Sequence, residues 1–188
     1  MFNTNMLTGM KRKIELEMNT VPKNLIIICG LFVLWFLFVS NSCPCPSTST
    51  NNKGCTRVEL FGIQYNHMYF FLTLGFFFPN HFFIIQALGI IWEIFEYLLD
   101  VVIRKNKNYL KIFGGCFDPN RGEKNVLNPI DRFFNIKKST MHGWHHSVAE
   151  VLTNIVFYKL GQSMVSNKNL FVITFIILFA FENWSFKH

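Results

Sequence analysis

The chain has 188 residues and a formal net charge of +7, and 51% of its residues are hydrophobic. A mean hydropathy of +0.26, with 23 phenylalanines, is too apolar for an ordinary soluble domain of this length, so the composition favours a protein solvated by lipid. The length leaves room for one bundle of about five membrane helices, at ~20 residues each, and not for a second domain. The basic residues are concentrated at the chain start and in one central loop, which suits anionic lipid headgroups and argues against a nucleic-acid partner.

Five apolar stretches follow a polar N-terminal tail (1–23), and each stretch is typical of a membrane helix. Only Pro79-Asn80 separates the second stretch from the third, which predicts an antiparallel helical hairpin. We therefore predict one all-α, integral, multi-pass membrane domain over 1–188, a helical bundle in the lipid bilayer. Its predicted membrane helices are 24–40, 61–78, 81–104, 142–165 and 169–184.

Two polar segments connect these stretches. The first, 41–60, is rich in Ser, Thr, Asn and Pro and contains Cys43, Cys45 and Cys55. The cysteine spacing fits no zinc motif, but a disulfide is expected if the loop faces an oxidising compartment. The second, 105–141, is a long, polar, basic loop. Because positive charge lies in both the N-terminal tail and this loop, the orientation of the bundle stays open.

Ionisable residues recur inside the apolar stretches, where they are costly and usually functional. In the third stretch Glu93, Glu96 and Asp100 share one helical face, and the second stretch places Gln64 and His67 three residues apart. Polar side chains also hold membrane helices together, but interhelical adhesion does not need so much charge. We therefore predict one polar pocket lined by three helices. The fourth stretch contributes a series at spacings of four residues: His142, His146, Glu150 and Asn154.

Carboxylates together with imidazole and amide groups favour a divalent cation, and the hard carboxylate oxygens favour Ca²⁺, Mg²⁺ or Mn²⁺. A cation beside a membrane interface can clamp and polarise a phosphate while a histidine acts as general base toward a hydroxyl group. This chemistry predicts that the protein binds or modifies a phospholipid headgroup, by phosphoryl or phosphatidyl transfer. The candidate catalytic residues are His67 and His146, and the candidate metal ligands are Glu93, Glu96, Glu150 and Asn154.

Three other functions fit parts of this pattern. The segment His142-Gly-Trp-His145-His146 is similar to one histidine box of the membrane di-iron desaturases and hydroxylases, but those enzymes combine several boxes and this chain has six histidines in all. A proton or ion pathway through the acids is a second alternative. The third is a non-catalytic membrane scaffold or accessory protein, in which the cluster is structural or binds a partner.

The order of the motifs resembles three groups of membrane proteins. His67 is followed by Trp92-Glu93-x-x-Glu96 on the next helix and, after a polar loop, by Glu150-x-x-x-Asn154. This order is similar to base-exchange phosphatidylserine synthases and, more loosely, to VanZ-like proteins. The chain length and the cysteine-containing loop resemble more closely an uncharacterised family of small bacterial membrane proteins, a domain of unknown function. The resemblance to the synthases implies that His67 is the base and that Glu93, Glu96 and Glu150 bind the metal, with Ala149 standing where the synthases have an aspartate.

Overall fold

The computed structural model describes residues 4–42, 59–60, 63–109, 112, 116–117, 128–136, 141–142 and 146–185. Helices dominate this part of the chain, which confirms the all-α class. Two short antiparallel pairings accompany the helices, β1 (Glu59–Leu60) with β2 (Ile63–Gln64) and β3 (Cys116–Phe117) with β4 (Met141–His142). The helices are α1 (Thr4–Asn19), α2 (Lys23–Ser42), α3 (Tyr65–Phe77), α4 (Phe82–Lys105), α5 (Pro129–Phe133), α6 (Val148–Ser163) and α7 (Lys168–Ser185).

The N-terminal half of the chain is more helical than its polarity suggests. The tail predicted only as polar forms α1, whose axis meets that of α2 at 83° across a break at residues 20–22. Pro22 immediately precedes α2, where a proline is compatible with the end of one helix and the start of another. The second apolar stretch becomes helical at Tyr65 rather than at 61, because residues 63–64 pair as a strand.

The fourth predicted helix begins later than the predicted residue 142. Ser147 is the N-cap of α6, and its Oγ accepts a hydrogen bond from the backbone N–H of Glu150 at 3.2 Å. Such a cap marks the point where a helix starts. His142 lies in β4 and His146 precedes the helix, so neither belongs to the helical face that carries Glu150 and Asn154.

The centre of the fold is the crossing of α3 and α6, at which two glycines bring the backbones together. A Cβ atom built on Gly75 would lie 2.0 Å from the carbonyl oxygen of Tyr158, and one built on Gly161 would lie 2.0 Å from that of Leu72. Neither position can hold a larger side chain without moving a helix. Small residues at such crossings are a device by which helices in lipid approach closely.

The short turn at residues 78–81 joins α3 to α4, and α6 holds the turn in place. The Tyr158 hydroxyl donates to the Phe78 carbonyl at 2.6 Å, and the Gln162 side chain donates to the Pro79 carbonyl at 2.6 Å. Beyond the turn, both α3 and α4 contact α6, and Gly89 of α4 faces the side chains of Phe71 on α3 and Asn154 on α6. An apolar core of α2, α3, α4 and α6 surrounds the turn: Leu25, Phe71, Leu74, Phe78, Ile85 and Tyr158.

The N-terminus of α4 is capped by a residue from α1. Glu17 is 5% exposed, and its Oε2 accepts hydrogen bonds from the backbone N–H groups of Phe83 at 2.8 Å and Ile84 at 3.1 Å. These N–H groups have no partner within their own helix, and the positive end of the helix dipole favours a carboxylate there. The buried, hydrogen-bonded side chain of Glu17 therefore ties α1 to the bundle.

Within the described residues, one helical segment, Phe82–Val102, is long and apolar enough to cross a membrane. The segments Leu7–Asn19 and Lys23–Trp35 meet the same criteria only as a bent pair, and Lys168–Phe181 is a shorter apolar helix.

Candidate functional site

Three buried side chains from three helices meet at one point. His67 comes from the first turn of α3, Glu93 from the middle of α4 and Glu150 from the first turn of α6. Each offers one ligand atom, and these atoms lie within 4.8 Å of one another. The cluster, called the His67–Glu93–Glu150 site below, can hold a metal ion.

The imidazole of His67 is oriented by Asn154, one turn further along α6 than Glu150. His67 Nδ1 and Asn154 Oδ1 are 2.9 Å apart. With the Asn154 amide placed this way, its carbonyl oxygen faces the ring and can only accept a hydrogen bond. His67 Nδ1 therefore carries the hydrogen, and a neutral ring has its lone pair on Nε2. Nε2 faces Glu150 Oε2 at 3.9 Å, which leaves it directed into the cluster.

Each carboxylate uses one oxygen to accept a backbone hydrogen bond and turns the other toward the imidazole. Glu93 Oε2 accepts from the N–H of Ser147 at 2.9 Å, and Glu150 Oε1 accepts from the N–H of Gln64 at 2.9 Å. Glu93 Oε1 then lies 3.7 Å from His67 Nδ1, and it is buried without a hydrogen bond in the described part of the chain. A buried carboxylate oxygen without a donor is costly, so the site is open for a proton or a cation at this atom.

The electrostatics of the site also call for positive charge. Among the described residues, His67 is the one basic side chain within ion-pair distance of Glu93. The ligand oxygens of Glu93 and Glu150 lie within 4.8 Å of each other. Two ionised carboxylates at that distance repel each other by about 3 kcal/mol at an effective dielectric constant near 20. An imidazolium would offset one of the two negative charges, and a divalent cation would offset both. Carboxylate oxygens with one imidazole nitrogen are a donor set that divalent cations accept.

The start of α6, and with it Glu150, is fixed by an acid that the sequence analysis did not select. Asp131 on α5 is 1% exposed. Its Oδ2 accepts from the Ser147 hydroxyl at 2.5 Å, and its Oδ1 accepts from the backbone N–H of Ala149 at 3.1 Å. Asn128 caps α5 through a hydrogen bond from the N–H of Ile130 at 2.8 Å. Part of the predicted loop 105–141 thus folds back to orient the site.

The remaining predicted site residues have other positions. Glu96 is 1% exposed, but its Oε1 accepts from the indole N–H of Trp92 at 3.0 Å, and Glu96 is not one of the three clustered ligands. The ring of His146 packs edge-on against that of Tyr97, with centroids 5.2 Å apart. Asn154, predicted as a metal ligand, contacts His67 instead.

The residue Gln64 joins the site through its backbone N–H, which donates to Glu150 Oε1. Residues 143–145 of the predicted histidine box lie outside the described residues. The same holds for Cys43, Cys45 and Cys55 in the predicted disulfide loop.

No protein-family model, curated protein or solved structure matches the chain. The family resemblance drawn from the order of the motifs therefore stays a prediction.

Proposed function

We propose that this chain is a multi-pass membrane protein that binds a divalent cation at the His67–Glu93–Glu150 site and there binds or modifies a phospholipid headgroup. The observation that carries the proposal is the arrangement of the two carboxylates. Each is anchored by a backbone N–H and directs its second oxygen toward one histidine. This arrangement is costly unless a positive charge is bound there.

Membrane residence is supported by an inverted distribution of polarity. Acids are inside the bundle, where Glu96, Asp100 and Glu150 are at most 1% exposed. Large aliphatic side chains are outside it, well beyond the isolated exposed residues of a soluble monomer. We take these faces to be lipid-facing: Ile26, Ile27, Leu31 and Leu34 on α2, Ile90, Ile91, Ile94 and Leu98 on α4, and Val172, Ile173, Ile176 and Ile177 on α7.

A headgroup is the favoured ligand because of where the site lies along the helices. His67 and Glu150 are each the third residue of their helix, and the segments before them, β2 and Ser147, contribute backbone N–H groups to the site. Backbone groups at helix ends need polar partners, so the starts of α3 and α6 create a polar opening at the level of Glu93, in the middle of α4. A lipid phosphate at that depth would be within reach of a cation in the site.

In this proposal the side chains have distinct roles. Glu93 and Glu150 hold the cation, whose chemistry is to polarise the phosphate and neutralise its charge. His67 binds the cation or accepts a proton through Nε2, and Asn154 keeps the ring in the required orientation. Asp131 and Ser147 position Glu150 and Glu93 and touch no substrate.

A non-catalytic scaffold is the second candidate, and the close crossing at Gly75 and Gly161 favours it. A bundle packed this tightly gains stability from buried polar contacts between helices without any chemistry. The two functions differ in what they predict for the lipids around the protein.

The test is lipid analysis of a host membrane that expresses the wild type, Glu93→Gln, His67→Ala or Glu15→Gln. Glu15 is an exposed acid on α1 paired only loosely with Lys11 at 4.0 Å, so Glu15→Gln is a control for charge removal. All four proteins must accumulate equally in the membrane fraction. The enzymatic proposal expects a headgroup change with the wild type and Glu15→Gln that is lost in the other two variants.

An unchanged lipid composition in all four samples, together with Mn²⁺ binding to the purified wild type, would favour the scaffold with a structural cation. Absence of Mn²⁺ binding as well would overturn the proposal as a whole.

A further inference from the structure

A cavity of about 380 Å³ lies between α2, α3 and α4, and it reaches the His67–Glu93–Glu150 site. Its walls are almost wholly apolar side chains, among them Phe32 and Val33 of α2 and Leu88 of α4. His67 is part of the cavity wall and of the polar site at the same time. The two features are therefore continuous.

The polarity of the cavity changes along its length. Residue contacts fix the register of the antiparallel helices, because His67 faces Glu93 and the Phe71 ring faces Gly89. One end of the cavity therefore carries Asn66 and His67, together with the nearby Trp92.

The other end of the cavity carries Leu74 and Ile85, which belong to the apolar core. At a rise of 1.5 Å per residue, the lining segment of α3 from residue 66 to residue 74 is about 12 Å long, and that of α4 from residue 85 to residue 95 is about 15 Å long. The cavity is thus elongated, polar at one end and apolar over the rest.

We propose that this cavity binds one hydrocarbon chain of a membrane lipid, with the polar end of the lipid at His67 and the chain extending toward Leu74 and Ile85. This inference rests on the proposed function, and it names the part of the lipid that the site uses to hold its substrate. A lipid whose chain is bound in this cavity has its headgroup held at His67.

The physical chemistry of the cavity favours such an occupant over water. A water molecule needs two to four polar partners, and away from Asn66 and His67 the wall offers almost none. An empty apolar cavity deprives its lining of dispersion contacts, which a linear alkyl chain would restore. The outer faces of α2 and α4 are aliphatic, so a chain from the surrounding lipid is the occupant present at the highest concentration.

The test uses two phosphatidylcholine probes and the full chain purified in detergent. One probe carries a photoactivatable diazirine close to the acyl carbonyl, and the other carries it at the terminal methyl. After irradiation, adducts are mapped by mass spectrometry. We expect the first probe to label residues 66–70 and Trp92, and the second to label Leu74 and Ile85.

Two substitutions of the cavity wall, Val33→Trp and Cys29→Trp, fill the cavity from α2. We expect each to reduce labelling by about tenfold, because a bulky side chain and an alkyl chain cannot occupy the same volume. Ile26→Trp is the matched control, since Ile26 is 63% exposed on α2 outside the cavity wall, and its labelling should equal that of the wild type. Circular dichroism and gel filtration identify any variant that is misfolded, and the probe pattern on the wild type stands independently of them.

Unlabelled competitors identify the source of the chain. If unlabelled phospholipid competes and free fatty acid does not, the bound chain belongs to a phospholipid. The reverse result overturns the placement of a phospholipid headgroup at His67. Identical adducts from both probes, or full labelling of a folded Val33→Trp protein, overturn the proposal.

Mn²⁺ binding, measured on the same samples, separates this inference from the proposed function. Val33→Trp should retain the cation, and Glu93→Gln should lose it while still being labelled at Leu74 and Ile85.

Discussion

Asn154 Oδ1 lies 2.9 Å from His67 Nδ1, and this contact places the ring hydrogen on Nδ1, beside Glu93, and leaves Nε2 facing Glu150. The amide comes from α6 and the ring from α3, so the close crossing of these helices is a condition for the site. Histidines that bind metals commonly donate their second N–H to an oxygen acceptor, which fixes both tautomer and ring orientation. Asn154 is thus a positioning residue for His67.

Asn154→Leu should weaken cation binding by about 10- to 100-fold, the loss typical of removing such a supporting hydrogen bond. The ligand atoms of Glu93 and Glu150 stay in place, so binding should persist at higher Mn²⁺ concentration. Electron paramagnetic resonance of free Mn²⁺ measures the affinity. Asn106→Leu is the control, since Asn106 is an exposed asparagine at the far end of α4. Unchanged affinity in Asn154→Leu would contradict the role given to the amide.

Gly75→Ala and Gly161→Ala should each destabilise the bundle. A new Cβ atom 2.0 Å from a backbone carbonyl oxygen cannot be relieved by a side-chain rotation, so the helices must separate. Overpacking of this kind costs about 1–3 kcal/mol or more. Thermal unfolding of the purified protein in detergent should show a lowered Tm for both variants.

The chain supplies a matched control for this prediction in Gly30. It lies inside α2, and a Cβ built there meets no atom within 4 Å. Gly30→Ala should therefore raise stability slightly, by about 0.5–1 kcal/mol, because alanine has the better helix propensity. Equal Tm changes at Gly30 and Gly75 would show that the crossing is not as close as described.

Helical periodicity was sufficient to select the three clustered residues from the sequence. Glu93 and His67 are polar residues in apolar stretches, and an antiparallel pair of helices brings them to the same depth. The spacing of four between Glu150 and Asn154 placed both on one face of α6. Local pattern is informative here because each residue is positioned by its own helix.

Helical periodicity also selected residues that the structure places outside the cluster. Glu96 follows Glu93 by one turn, but the indole N–H of Trp92, four residues before Glu96, donates a hydrogen bond to its carboxylate. The grouping of His146 with Glu150 was wrong because α6 starts after it. The segment Ser147-Val-Ala-Glu150 has the composition of a capping box, a signal from which that start can be read.

The contributions of Asp131 and Glu17 could not be predicted from pattern, because both cap a helix to which they do not belong. Glu17 is 66 residues from Phe83, and Asp131 is 16 residues from Ser147. In a complete capping box the glutamate of the box would accept a hydrogen bond from the backbone N–H of the N-cap residue. Here Glu93, rather than Glu150, accepts from the Ser147 N–H. Only the tertiary arrangement supplies these partners.

Asp131→Ala should lower both the stability and the cation affinity. The substitution leaves the Ser147 hydroxyl and the Ala149 N–H without their acceptor, at a cost of about 1–3 kcal/mol. Because Ser147 also donates to Glu93, the start of α6 and the carboxylate should become less ordered together. Tm and Mn²⁺ affinity are measured on the same preparation.

Ser163→Ala is the control for Asp131→Ala, since Ser163 is exposed at the other end of α6 and its hydroxyl donates to Leu160 of the same helix. A normal Mn²⁺ affinity in Asp131→Ala, despite a lowered Tm, would show that α5 stabilises the fold without orienting the site.

Removal of divalent cations should destabilise the wild type. With the cation gone, the two carboxylates face one imidazole and repel each other, so EDTA should lower the Tm and excess Mn²⁺, Ca²⁺ or Mg²⁺ should restore it. Glu93→Gln removes one of the two charges, and its Tm should respond much less to EDTA. The ion that gives the largest Tm increase at equal concentration identifies the preferred cation. A wild-type Tm that is insensitive to both EDTA and added cations would argue for a protonated, metal-free cluster.

Glu17→Ala should destabilise the start of α4 without affecting the cation site. The carboxylate is the acceptor for the N–H groups of Phe83 and Ile84, and loss of such a cap costs about 0.5–2 kcal/mol. Hydrogen exchange should accelerate at these two amides, while amides near Glu93 exchange as in the wild type. Glu15→Ala, the exposed acid on the same helix, should leave the exchange at Phe83 and Ile84 unchanged. Faster exchange in both variants would mean that the N-terminal helix as a whole, rather than the Glu17 carboxylate, protects the start of α4.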